Sequence, residues 1–127
     1  MNAISIHFRP GFLISVSLAV LIVPASWLLS WFLAAAVHEL FHIIALYLFG
    51  IQVTSIRIET FGAKIITRDE SGLKMIFSSL AGPLSGILLI PLFHIMPKIS
   101  ICGLALSLVN LIPLYPLDGG RALKNFL

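Results

Sequence analysis

The sequence predicts an all-α polytopic membrane protein with about four hydrophobic helical segments and a small surface β-hairpin between the second and third. Of its 127 residues, 59% are hydrophobic and only 10% are charged, whereas roughly a quarter of the residues of a soluble protein are charged. Residues 12–37 contain no charged side chain, and further apolar stretches cover residues 73–96 and 99–117. Between residues 51 and 68 the apolar pattern changes to a period of two, which indicates strands.

Pro24 divides the first apolar stretch into two predicted helices, over residues 11–23 and 27–49. At ~1.5 Å per residue the first helix is short for a full span, so we expect either that it tilts or that its end lies later in the chain. Gly50 ends the second helix as a glycine C-cap. A secretory signal peptide is an alternative for this region, because Arg9 precedes the apolar run and three alanines stand near its end. The run is longer than the apolar core of about 7 to 15 residues that such peptides have.

The predicted hairpin lies at the membrane surface. In "TSIRIET" the apolar Ile56 and Ile58 alternate with charged neighbours, and a second β-rich segment, "AKIITR", follows a Phe-Gly pair. Alternation of this kind is typical of strands with one buried face.

The third and fourth helices are expected over about residues 73–95 and from about residue 99 onward. The third should be interrupted or kinked around "AGPLSG" and at Pro91. The fourth should end or unwind at Pro113 and Pro116. Gly82 and Gly86 have the GxxxG spacing that most often means close packing between membrane helices.

The basic residues predict the orientation in the membrane. Four alternating spans place the N-terminus, the hairpin and the C-terminus on one face, and Lys98 alone on the other. The first face collects the remaining basic residues, which are Arg9, Arg57, Lys64, Arg68, Lys74, Arg121 and Lys124. By the positive-inside rule both termini are cytoplasmic, and we expect a multi-pass protein of the bacterial cell membrane. The net charge of +3 therefore reflects topology, and the expected partner is the lipid bilayer, with no nucleic acid.

Two histidines and a glutamate stand close together in the apolar second helix, as His38-Glu39-Leu40-Phe41-His42. This is an H-E-x-x-H pattern, in which the histidines lie one helical turn apart and can reach one ion. The glutamate projects about 100° away, near enough to act on a water molecule at that ion. Zn²⁺ at such a site lowers the pKa of water towards ~7, and the glutamate takes its proton.

The competing interpretation is that these are incidental polar residues of a helix. Within a membrane span each ionisable group costs about 2.5 to 3.5 kcal/mol on insertion scales, so three of them without a partner would be difficult to insert. Intramembrane ionisable residues are functional by default. The pattern therefore favours a metal site.

A catalytic zinc site needs a third protein ligand. This ligand should lie in or near the membrane, which disfavours the hairpin acids Glu59, Asp69 and Glu70. The single cysteine, Cys102, excludes a cysteine cluster. Asp118 remains, in a proline-broken segment that should line a cavity, because unwound backbone at membrane depth needs polar surroundings. Its alternative role is the N-cap of a C-terminal helix.

Asn110 is a further polar residue within an apolar helix. It either holds the backbone of an unwound substrate or forms a hydrogen bond between helices. The sequence alone leaves both roles open.

The sequence resembles the site-2 protease family of intramembrane zinc metalloproteases in three motifs. These are "HELFH" at residues 38–42, "AGP" at 81–83 and "NLIPLYPLDGGR" at 110–121. They occur in the family's order, with a surface β element between the first two. The compact form is closest to the bacterial branch that includes the sporulation-factor processing protease.

The resemblance implies that His38, His42 and Asp118 bind zinc, with Glu39 as general base and Asn110 in contact with the substrate. It also implies cleavage of transmembrane or membrane-proximal segments that have locally unwound. The hairpin would then pair with the extended substrate as an added strand.

Two features depart from the family pattern. Phe41 occupies a position that is often glycine, which puts the packing or access at the zinc helix in doubt. The chain also ends seven residues after Gly120, where many relatives continue through further helices, so residues 1–127 are expected to form either a minimal core or a shortened one.

We therefore expect a single membrane-embedded metalloprotease domain that holds one Zn²⁺ and hydrolyses peptide bonds in or near transmembrane segments. The alternative is a non-proteolytic metal-binding membrane protein that acts as a sensor, transporter or scaffold. Glu39 favours hydrolysis, because a storage or sensing site needs no base beside its ligands. The sequence carries no prediction of the oligomeric state.

Overall fold

The chain folds into a mostly helical bundle with a small sheet at one end. The computed structural model describes residues 5–59, 62–67, 72–114 and 117–126. The elements in chain order are β1 (Ser5–Phe8), α1 (Pro10–Ile22), α2 (Ala25–Leu48), β2 (Val53–Glu59), β3 (Gly62–Thr67), α3 (Leu73–Leu88), a 3₁₀ helix (Ile90–His94), α4 (Pro97–Asn110) and α5 (Asp118–Phe126).

One face of α2 supplies a large part of the interior. Its buried residues recur at every fourth position, and they are Ser30, Ala34, His38, His42 and Leu46. Side chains four apart lie on the same helical face. Both histidines therefore belong to the stripe along which α2 packs against α3 and α4.

The buried faces of α3 and α4 consist mainly of small residues. On α3 and α4 these are Ser78, Ser79, Gly82, Pro83, Ser85, Gly86, Ser100, Cys102, Gly103 and Ser107. Membrane helices pack through small residues in this way because lipid gives no hydrophobic drive to bring large side chains together.

Large apolar side chains lie on the outside instead. Leu21 and Tyr47 are 82% and 81% exposed, and the other exposed apolar side chains are spread over all four long helices. Contiguous apolar surface of this extent is uncommon on soluble monomers. The distribution, with small and polar residues inside and large apolar residues outside, fits a chain whose surroundings are lipid.

Two helical segments are long and apolar enough to cross a membrane. They are α2 and Leu73–His94, which is α3 with the turn that follows it; α1 and α4 are apolar but shorter. Four full spans stay a prediction, as does the position of the sheet at the membrane surface.

The sheet has three strands, where the sequence predicted only a hairpin. β2 and β3 pair antiparallel between α2 and α3, and β1 adds to β2 in parallel, with Ser5 opposite Ser55 and Phe8 opposite Ile58. The amide of Arg9 continues this pairing by donating to the Ile58 carbonyl at 2.9 Å. Four residues are too short for a recognisable period, and a parallel partner that is distant in the chain leaves no local signal.

The helix boundaries follow the prolines, with one difference from prediction. Pro10 and Pro97 stand in the first turns of α1 and α4, where the missing N–H costs nothing. Around "AGPLSG" the helix is not interrupted, since α3 runs through Pro83 to Leu88; a kink there stays a prediction. The expected break at Pro91 takes the form of the 3₁₀ helix. Pro116 lies outside the described residues.

A small apolar cluster joins the sheet to the helices. Leu46 of α2, Ile65 of β3 and Met75 of α3 are its buried members. Three partly buried residues of β2 and the segment before it, Ile51, Val53 and Ile56, pack against them. The sheet is thereby fixed to the end of α2 that follows His42.

We expect Gly86→Val to destabilise the bundle. A Cβ at Gly86 would lie 2.5 Å from the Gly103 carbonyl oxygen and closer still to Ser107 Oγ, so α3 and α4 must separate. Overpacking of this kind costs about 1–3 kcal/mol. A lower melting temperature in detergent should result, whereas Leu84→Val on the 48% exposed side of α3 should change it little. Equal melting temperatures for the two variants would contradict the close packing.

Candidate metal centre

Three potential metal ligands meet where α2 and the start of α5 approach each other. His38 Nε2 lies 2.9 Å from Asp118 Oδ2, and His42 Nε2 lies 3.0 Å from the same oxygen. The two Nε2 atoms are 3.2 Å apart. All three residues are buried. The structure thus brings together the residues that the sequence predicts as ligands, although the second histidine and the aspartate are 76 positions apart in the chain.

The ring of His42 is oriented by the backbone of α3. Its Nδ1 lies 2.7 Å from the Ser78 carbonyl oxygen, which can only accept a hydrogen bond. Nδ1 therefore carries the proton, and in the neutral ring Nε2 is left with a lone pair. Metal-binding histidines typically donate their second ring N–H to a carbonyl or carboxylate in this way.

The three atoms form a donor set that suits zinc. With the His42 tautomer fixed, a lone pair of that ring and a carboxylate oxygen face each other, and such an arrangement needs a proton or a cation between them. Ligands about 2.0–2.1 Å from a tetrahedral ion lie about 3.3 Å apart, close to the separations found here. Two imidazoles and one carboxylate leave the fourth position of the ion open.

Gly82 leaves the space that the two imidazoles occupy. A Cβ at this position would lie 2.6 Å from His38 Nε2 and closer still to His42 Nε2. The sequence predicted close helix packing for the Gly82 and Gly86 pair. Gly86 has that role between α3 and α4, whereas Gly82 faces the histidines of α2.

The chain is irregular over residues 111–114, before it reaches Asp118. α4 ends at Asn110, and the Leu114 amide donates to the Ile112 carbonyl at 2.7 Å in the turns that follow. Asp118 is the first residue of α5, and its carboxylate contacts the imidazoles, which differs from the alternative role of an N-cap. Gly119 lets the first turn of α5 approach the end of α4, because a Cβ there would overlap the carbonyl group of Leu111, the residue that follows α4.

The two other predicted site residues belong to α2 and α4. Glu39 is half-buried and belongs to the same turn of α2 as His38. Asn110 is half-buried at the end of α4, and its Nδ2 donates to the Leu106 carbonyl of its own helix at 2.8 Å. Asp69 and Glu70 lie outside the described residues.

Sequence reasoning missed the role of Ser78. It acts through its carbonyl, which every residue possesses, so its identity carried no signal. The His38 Nδ1 atom is buried and has no hydrogen-bond partner among the described residues.

Comparisons with known proteins agree with this architecture. The family model described as Peptidase M50B-like matches residues 12–118. A Synechocystis sp. protein provisionally named a zinc metalloprotease is 32% identical over 110 residues, which cover 74% of this chain and 29% of that protein. The chain thus spans about three tenths of the length of this curated relative.

The fold has a counterpart among solved structures. The site-2 protease from Methanocaldococcus jannaschii matches with a TM-score of 0.77 at 22% identity, over 99% of this chain and 69% of that one. This likeness shows the fold, and the family model shows the family. The chain belongs to the site-2 protease family, whose members are membrane-embedded, and its sequence matches the Peptidase M50B-like description over most of its length.

Proposed function

We propose that the chain forms the core of an intramembrane zinc metalloendopeptidase, which hydrolyses peptide bonds in or near transmembrane segments of membrane-bound substrates. The observation that carries the proposal is that three buried ligand atoms, His38 Nε2, His42 Nε2 and Asp118 Oδ2, lie close together. Membership of the site-2 protease family supports the same activity. Lipid and a membrane-inserted peptide are the partners that such a site requires.

His38, His42 and Asp118 would hold one Zn²⁺. When bound, zinc acts as a Lewis acid that makes water nucleophilic at neutral pH and polarises the scissile carbonyl. Glu39 takes the proton from the attacking water and later delivers it to the leaving amine. The Ser78 carbonyl keeps the His42 ring in the tautomer that leaves Nε2 free for the ion.

Two parts of the chain would hold the substrate. Asn110 is the last residue of α4, immediately before the irregular residues 111–114, and would hydrogen-bond the backbone of an unwound substrate. β1 and β3 are the outer strands of the described sheet. Either could pair with an extended peptide by strand addition.

Glu39→Gln should abolish cleavage while zinc remains bound. The amide cannot accept the proton, and loss of a general base typically costs about 10²- to 10⁴-fold in rate. The measurement is cleavage of candidate membrane substrates in zinc-loaded liposomes, together with the metal content of the same protein. Leu40→Ala, at the next residue of α2 and 51% exposed, is the matched control and should retain activity.

The result for Glu39→Gln separates the protease from a metal-binding sensor, transporter or scaffold. A wild-type protein that binds zinc and cleaves nothing would fit those alternatives. Cleavage that persists undiminished in Glu39→Gln would refute the assigned base.

Gly82→Ala should weaken zinc binding. The added methyl group takes the space beside both Nε2 atoms, so the imidazoles must rotate away from Asp118. We expect substoichiometric zinc after dialysis, measured by atomic emission. Gly86→Ala introduces the same methyl group one turn further along α3, against α4, and should lower stability while zinc is retained. Equal zinc contents for both variants would argue against the ligand assignment.

The orientation in the membrane can be tested with reporter fusions. Fusions after Gly50 and at the C-terminus should report the cytoplasm, and a fusion after Pro97 should report the opposite side. The expectation follows from the excess of basic residues on the first face. Opposite labels would overturn the proposed topology.

A further inference from the structure

A small cavity lies beside the candidate metal centre, between α2, β3, α3 and α5. His42 forms part of its lining, and Leu46, Ile65 and Met75 supply an apolar wall. Ser78 and Arg121 also line it. The cavity is thus bounded by a proposed zinc ligand on one side and by the cluster that fixes the sheet on the other.

The size of the cavity limits what can enter it. The cavity has a volume of about 20 Å³, and one water molecule needs about 10–15 Å³. A methyl, hydroxymethyl or thiomethyl group fits in such a space. A leucine or phenylalanine side chain does not fit unless Met75 moves.

The lining also shows an unsatisfied polar group. Ser78 Oγ is buried and has no hydrogen-bond partner among the described residues, and such groups cost free energy unless something pairs with them. Because Oγ itself is enclosed in this conformation, a hydroxyl group in the cavity would supply the partner once the Ser78 side chain rotates. The charge of Arg121 on the same lining disfavours a cationic side chain.

We infer that this cavity is a specificity subsite for a small substrate side chain close to the scissile bond, with serine preferred over alanine through Ser78 Oγ. The inference rests on the proposed peptidase function. We place the subsite close to the scissile bond because His42 both lines the cavity and contributes a ligand atom to the candidate metal centre. The subsite would select, from an apolar transmembrane segment, the few positions that carry small residues.

The test uses the full chain in zinc-loaded liposomes. The probes are model peptides with one apolar transmembrane segment, which carry Ala, Ser, Leu or Phe at each central position in turn. Mass spectrometry identifies the cleaved bonds, and zinc content is measured in the same samples. The variants are Met75→Ala and Ser78→Ala, and Met96→Ala at a 45% exposed site is the matched control.

For the wild type we expect one position near the cleaved bond to favour Ala and Ser over Leu and Phe by at least about tenfold, since even one methylene in a pocket is worth about that factor. Met75→Ala should reduce this discrimination at least about tenfold by enlarging the cavity. Ser78→Ala, which keeps the cavity's shape, should remove the preference for Ser over Ala and leave the discrimination by size intact. All variants should retain zinc.

If zinc-loaded wild type cleaves the peptides, and Ser78→Ala and Met75→Ala show the same side-chain preferences as wild type, the subsite is refuted and the peptidase function stands. Should Met75→Ala fail to fold, Ser78→Ala decides alone. Failure of zinc-loaded wild type to cleave any peptide would overturn the proposed function, and the subsite with it.

Discussion

The structure depends on keeping two imidazole nitrogens and a carboxylate oxygen within about 3 Å of one another. They lie inside a bundle whose outer surface is apolar. Desolvating such groups is costly, and mutual repulsion between acceptor atoms adds to the cost unless a cation pairs with them. The fold must therefore hold His38, His42 and Asp118 in place from several sides. α2 supplies two of them from one stripe, the Ser78 carbonyl fixes one ring, and α5 directs the carboxylate inward.

The small residues of the interior make this arrangement possible. Gly82 allows α3 to lie directly against the two imidazoles, and Gly86 allows it to lie against Gly103 of α4. Larger residues at these positions would push the helices apart and widen the site. The large apolar side chains that usually fill a core are found on the outer surface instead, where lipid solvates them. Close packing of backbones thus replaces the hydrophobic core as the means of enclosing polar chemistry.

Two physical rules made parts of the site predictable from sequence: the geometry of a helix, and the cost of placing charge in an apolar segment. His38 and His42 lie on one helical face because residues four apart always do, and Asp118 was found because an acid within a proline-broken apolar segment needs a polar partner. Ser78 could not be found in this way, since its carbonyl is common to every residue. β1 was missed because its pairing with β2 joins segments that are about fifty residues apart. Pro83 suggested an interruption of α3, but the helix continues through it, because proline within a membrane helix is tolerated when neighbouring groups satisfy the backbone.

The same stripe of α2 also links the candidate centre to the sheet. Leu46, the next buried residue after His42, belongs to the cluster with Ile65 of β3 and Met75 of α3. One helical turn advances about 5.4 Å along the axis, whereas an extended peptide advances about 3.3 Å per residue. A peptide strand added to the sheet would therefore have to extend only a few residues to reach the ligands. His42 and Leu46 lie one turn apart on the buried face of α2, so the same helical face holds a residue of the candidate centre and a residue of the cluster that packs against the sheet.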